Sequence, residues 1–269
     1  NARLSARSAA RYARLGGFVR TALQDFSMLI AQTADDAARV TALGAQQVAV
    51  AGNLKFDIEP PAGQIDLGRR WREALGARRV LLLASTREDE EAILLDALLP
   101  ALPDDVLIAL VPRHPQRFDE VAGLIRSRGL ALRRRSAGEL PDADTRIWLG
   151  DAMGEMFAWY ALADLALIGG SWRPLGGQNL IEACAVGCPV IVGPHTFNFT
   201  QATVDAIAAG AARRAADPAE AASIASQLLA DPPTLTATGA AGLAFARAHR
   251  GATERTMALI APLLPPTSP

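Results

Sequence analysis

The chain has 269 residues, half of them apolar and a fifth charged, with a formal net charge of −1. Its basic residues are Arg almost throughout, and no basic excess marks a nucleic-acid binder. No apolar run is long enough to span a bilayer, and no signal peptide opens the chain. The three histidines are scattered without ligand spacing, so no metal is expected; no cofactor is expected either. Cys184 and Cys188, one turn apart at a helix end, read as buried reduced thiols.

The chain opens at Asn1 rather than Met, on a basic, helical-looking segment. It reads as a fragment of a longer protein, in which any anchor or catalytic residue encoded upstream would lie outside this chain. Met28 to Thr33 is a short apolar strand, followed by a helix ending at Gly44 and a strand that breaks at Gly52. Glu59 to Gln64, "EPPAGQ", is the linker candidate. Strands and helices then alternate. "VLLLAST" (Val80–Thr86), "VLIALVPRHP", "ALRRRS", "RIWLGD", "DLALIGG" and "PVIVGP" are the strands, and amphipathic helices separate most of them. The stretch from Ala244 to Leu264 is helical, before a "PPTSP" tail.

Continuous apolar strands between helices specify a parallel sheet covered on both faces, a doubly wound α/β domain from about Arg69 to Arg250. Ligands of such sheets bind beyond the carboxyl ends of the strands. The residues directly after each strand are therefore the candidates. Ser85 and Thr86 fit either a helix N-cap or hydroxyl donors to a sugar or phosphate. Arg113 stands between two prolines that stiffen its backbone, which suits phosphate or carboxylate recognition. His114 beside it fits a ligand contact or a plain loop histidine. Gly154 and Glu155 fit a helix start or a backbone edge facing a base or phosphate.

"GGQNLIEACAVG" carries the strongest signal. Gly176 and Gly177 let the backbone approach a ligand, and a helix starting near Gln178 aims its free N–H groups there. Asn179 both donates and accepts, and Glu182, one turn on, suits ribose hydroxyls. Neither a GxGxxG fingerprint nor a P-loop lysine motif occurs.

Together "GNLKFD", "ASTREDEE", "VPRHPQRF", "GDAMGEM" and "GGSWRPLGGQNLIEACAVGCPVIVGPHTFNF" resemble the 3-deoxy-D-manno-octulosonic acid (Kdo) transferases, in order and over nearly the whole chain. The resemblance implies a GT-B type α/β fold: a C-terminal doubly wound Rossmann-like domain and the tail of an N-terminal one. The implied division is 1–52 for the acceptor-side remainder, 53–245 for the donor domain and 246–269 for a helix and tail. It implies transfer of Kdo from CMP-Kdo to a lipid A precursor in lipopolysaccharide biosynthesis, at the cytoplasmic face of a bacterial inner membrane. Contact with the membrane surface would come through the upstream part.

By motif match Arg113 would hold the CMP phosphate and stabilise the leaving group. Gly154 and Glu155 would lie near the cytidine, Asn179 and Glu182 near ribose and phosphate, and Lys55 at the interdomain crossing. The catalytic base of these transferases lies in an acidic Gly-rich loop that nothing here matches. No catalytic base is therefore assigned, and the chain alone is expected to be inactive. Two other classes stay open. One is a GT-B enzyme using a UDP-sugar, transferase or epimerase; the other is a non-catalytic nucleotide-binding module.

Overall fold

Nine short strands form two parallel sheets in the computed structural model, which describes residues 1–264. The expected PPTSP tail lies outside the described residues. By its contacts the chain divides into two units: Asn1–Ile58 with the stretch from Arg247, and Glu59–Ala246.

The first unit holds β1 (Leu29–Ala31) and β2 (Val48–Val50), paired with Leu29 opposite Val48. The helix Ala34–Ala42 connects them, and the Thr33 side chain caps it by accepting the Asp36 N–H. The "GNLKFD" stretch closes this unit. Asp57 accepts N–H groups from Gly251 (2.6 Å), Ala252 (3.3 Å) and Thr253, so its carboxylate caps the helix Ala252–Ile260. Phe56 stacks on His249 with ring centroids 4.7 Å apart.

The larger unit is built on β3 (Val80–Thr86), β4 (Leu107–Pro112), β5 (Leu132–Arg134), β6 (Ile147–Leu149), β7 (Leu165–Ile168), β8 (Val190–Val192) and β9 (Ala212–Arg214). Their order is β5-β6-β4-β3-β7-β8-β9, with every neighbouring pair parallel. Strand order reverses direction between β3 and β7, the switch point where such folds bind ligands. Residues 80–84 are fully buried because helices cover both faces. Glu90–Ala101, Phe118–Ser127 and Pro218–Leu229 pack Leu94, Leu98, Ile125 and Leu228 into one core. On the other side Trp71, Trp148 and Trp159 form a cluster with centroids 4.6–5.0 Å apart. Gly68 is needed there, since a Cβ would lie 2.3 Å from the Ala158 carbonyl.

Two details depart from the linear reading. The linker candidate 59–64 runs into the helix Ala62–Leu75, which starts directly after Pro61. The edge strand β9 exposes Arg213 and Arg214 and buries only Ala212, so it carries almost no apolar signal.

Candidate functional site

Loops after β3, β4, β6 and β7 enclose a cavity of about 300 Å³ at the carboxyl edge of the sheet. Of the residues expected there, Ser85, Arg113, Gly154, Glu155, Asn179 and Glu182 line it. Thr86, His114 and Gly177 do not.

The β3 end is strained. Ser85 has φ +56°, in the left-handed region, at a register shift between Ala84 and Thr86. Its hydroxyl lies 3.5 Å from Met156 Sδ. Thr86 points the other way: fully buried, it donates its hydroxyl to Glu91 Oε1 at 2.7 Å. It is therefore a packing residue rather than a sugar or phosphate donor. The capping expectation also shifts, because the helix starts at Glu90 with Asp89 as N-cap.

Arg113 follows β4, and its N–H is held by the Thr86 carbonyl at 2.9 Å. Its side chain is exposed and makes no hydrogen bond or ion pair with the described residues. His114 instead precedes the 3-10 turn Pro115–Arg117, half-buried, with its carbonyl accepting the Arg117 N–H.

The β6 loop contributes Ala152, Met153, Gly154 and Glu155 to the wall. Gly154 has φ +81°, and a Cβ on it would meet open space, so the backbone conformation rather than crowding demands glycine. Glu155 is not a free carboxylate. Arg135 holds it in a bidentate pair at 3.0 and 2.8 Å.

The loop after β7 corrects the strongest expectation. Its helix spans only Ile181–Ala185, five residues, rather than starting near Gln178. The Gly177 and Gln178 N–H groups donate to the Gly170 and Gly169 carbonyls and do not face a ligand. Gly177 (φ +79°) serves this turn. What reaches the cavity is side-chain chemistry. Asn179 Oδ1 accepts the Ile181 N–H at 3.1 Å, and its Nδ2 donates to Glu182 Oε1 at 3.1 Å. Burial pushes the Glu182 carboxyl above its ordinary range, against the lowering effect of Asn179 and of the Arg113 charge.

Sequence reasoning missed Met153, Met156, Trp159, Tyr160 and Gln178 as lining residues. Burial, with the Glu182 charge adding to it, pushes the Tyr160 hydroxyl well above its usual range. The aromatic pair sits on the helix face of "FAWYA" that also packs the core, so its sequence signal was indistinguishable from packing. Cys184 and Cys188 are buried and form no disulfide, and burial pushes the Cys184 thiol up to about 12. Among the described residues no group of His, Cys, Asp and Glu could hold a metal ion.

The wall thus presents one unpaired guanidinium, an amide–carboxylate pair, and a backbone edge flanked by thioethers and an indole. Comparisons with known proteins bear on family and fold. A family described as 3-deoxy-D-manno-octulosonic-acid transferase (kdotransferase) matches residues 1–58. The 3-deoxy-D-manno-octulosonic acid transferase of Bordetella pertussis is 49% identical over 96% of this chain and 61% of its own. That of Haemophilus influenzae is 36% identical over 98% of this chain and 63% of its own. The chain therefore spans less than two thirds of these relatives. The crystal structure of the C-terminal CMP-Kdo binding domain of WaaA from Acinetobacter baumannii matches with a TM-score of 0.66 at 34% identity. It covers 69% of this chain and 98% of that one. The fold is accordingly α/β of GT-B type.

Proposed function

Because the chain belongs to the 3-deoxy-D-manno-octulosonic acid (Kdo) transferase family, we propose that it supplies the donor site of that reaction. It binds CMP-Kdo in the rim cavity and supports transfer of Kdo to a lipid A precursor in lipopolysaccharide biosynthesis. The observation that carries this is the convergence of Arg113, Asn179, Glu182 and the 152–154 edge on one cavity.

Each part of the donor has a chemical counterpart. Arg113, its backbone held by the Thr86 carbonyl and its guanidinium unpaired among the described residues, takes the CMP phosphate. Asn179 and Glu182 take ribose hydroxyls, the amide donating and the carboxylate accepting. The backbone at 152–154 and the Met153 and Met156 thioethers take the base. As Kdo leaves, charge grows on the CMP phosphate, and Arg113 stabilises it. Removing such a donor typically lowers the rate about a hundredfold or more. Arg113 carries this role without help from a helix N-terminus, since the short helix at Ile181 offers none. No residue of this chain is assigned as proton acceptor.

The acceptor and a place at the cytoplasmic face of the inner membrane belong to the same proposal. No helix among the described residues is long and apolar enough to cross a membrane. Calorimetric titration with CMP, with UMP as control, tests the donor site. Wild type binds CMP preferentially, and Arg113→Ala weakens binding about tenfold or more with little change in thermal stability. A folded wild-type chain that ignores CMP would sink the proposal, and preference for UMP would redirect it to a UDP-sugar enzyme.

A further inference from the structure

The "RRRS" stretch has no role in the donor reading, yet it grips the cavity wall. β5 ends at Arg134, and Arg135–Ala137 form a 3-10 turn. Consecutive residues of this segment hold both ends of the 151–155 loop. Ser136 donates its N–H to Asp151 Oδ1 at 2.8 Å and its hydroxyl to Oδ2 at 2.5 Å. Arg134 Nε donates to the same Oδ2 at 2.5 Å. Burial pushes the Asp151 carboxyl up, but the Ser136 hydrogen bonds and Arg134 outweigh it and hold it below the usual range. Between these two residues, Arg135 takes the other end of the loop through its bidentate pair with Glu155.

The loop between the two carboxylates has little holding of its own. Met153 is 57% exposed, and Gly154 stands against open space. Arg135, by contrast, is fixed. Its guanidinium lies 5.2 Å over the Trp71 ring, and Trp71 packs on Trp159, which lines the cavity. A bidentate pair fixes the rotation as well as the position of Glu155, which a point charge would not. It also cancels one of the two negative charges on the wall, which favours an anionic ligand.

We infer that Arg135, acting through Glu155, is a positioning residue that fixes the 152–154 backbone as the edge reading the donor base. It thereby sets the preference for cytidine over uridine. The inference rests on the donor-site reading above. Cytosine presents an amino donor where uracil presents a carbonyl. A rigid backbone edge matches one of them and leaves a polar group unpaired against the other, a difference of roughly tenfold in affinity. A loose edge adapts to both.

The test is titration of the whole chain with CMP and with UMP, for wild type, Arg135→Met, Arg135→Lys, Glu155→Gln and Arg113→Ala. Arg135→Met keeps an apolar stem on Trp71 and removes the pair. It and Glu155→Gln should lower the CMP-to-UMP affinity ratio about tenfold, while Arg135→Lys keeps part of it. Arg113→Ala should weaken both nucleotides alike. A wild-type ratio in Arg135→Met, whatever its melting temperature, makes Arg135 a merely structural residue and overturns the inference alone. Should Arg135→Met not fold, the ratio measured for Glu155→Gln decides in its place. Equal binding of both nucleotides by wild type overturns the inference and leaves a nucleotide site. No CMP binding by folded wild type overturns the donor reading and this inference together.

Discussion

Two corners of the same sheet rim are built from nearly the same residue types, yet one is saturated by the chain's own hydrogen bonds and the other is not. At one, the β3 and β7 loops are knotted shut. Glu90, fully buried, accepts N–H groups from Arg87 (2.9 Å), Gly170 (2.6 Å) and Trp172 (2.8 Å). Glu91 beside it accepts the Thr86 hydroxyl and both nitrogens of the Arg117 fork. At the other, among the described residues, Arg113 is unpaired and Glu182 has one amide partner across 3.1 Å. Composition along the rim does not separate a site from a brace. What separates them is whether the chain's own donors already saturate each charged group before a ligand arrives.

The closed corner can be broken most severely at its ion pair. Arg117 is only 11% exposed and Glu91 only 1% as side chains. Burial lowers the Arg117 pKa, and the Glu91 and Glu120 partners more than restore it, leaving it raised. Arg117→Ala leaves a buried carboxylate with one hydroxyl partner and should cost about 3–5 kcal/mol in urea unfolding. A loss no larger than that of a surface pair would mean the corner is not closed. Glu90→Ala comes next. It strands three backbone N–H groups and should cost about 3 kcal/mol. Faster hydrogen exchange at the Gly170 and Trp172 amides would report the damage locally, and unchanged protection there would contradict the knot.

Much of this was legible in the residues. The apolar runs found every central strand, because a strand buried on both faces has to be continuously apolar. The loops at Arg113, Gly154 and Glu182 could be named because the rim of such a sheet is fixed by topology. The errors have physical causes as well. Thr86 and Ser85 are neighbours on one strand, so they face opposite ways, and the bulge decides which one meets the cavity. The glycines at 176 and 177 looked like room for a ligand. A Cβ on Gly176 would in fact meet Asn198 Nδ2 at 2.3 Å, so the room is taken by the "TFNF" loop. Arg135 gave no signal, because its value lies in a carboxylate twenty residues on that only the β5–β6 pairing brings near. The joining of the 252–260 helix to Asp57 is likewise a contact across the length of the chain.

The open corner is best sharpened by Glu182→Gln, where stability and binding should move in opposite directions. Burial raises the Glu182 pKa above its unfolded value of 4.5. A carboxyl raised on folding contributes its stability fully below the unfolded pKa and loses it as pH rises through the folded one. Wild type and Glu182→Gln should therefore be closest in melting temperature at acid pH. As pH rises through the elevated pKa, the variant should become the more stable of the two, because only wild type carries a partly buried charge. Gln keeps an acceptor for the Asn179 amide, so the local turn survives. It loses the carboxylate proposed to grip ribose hydroxyls, so CMP binding at neutral pH should weaken even as the protein gains stability. That exchange of stability for function is what an open site predicts. A variant that is less stable than wild type at neutral pH would place Glu182 with Glu90 and Glu91, among the braces.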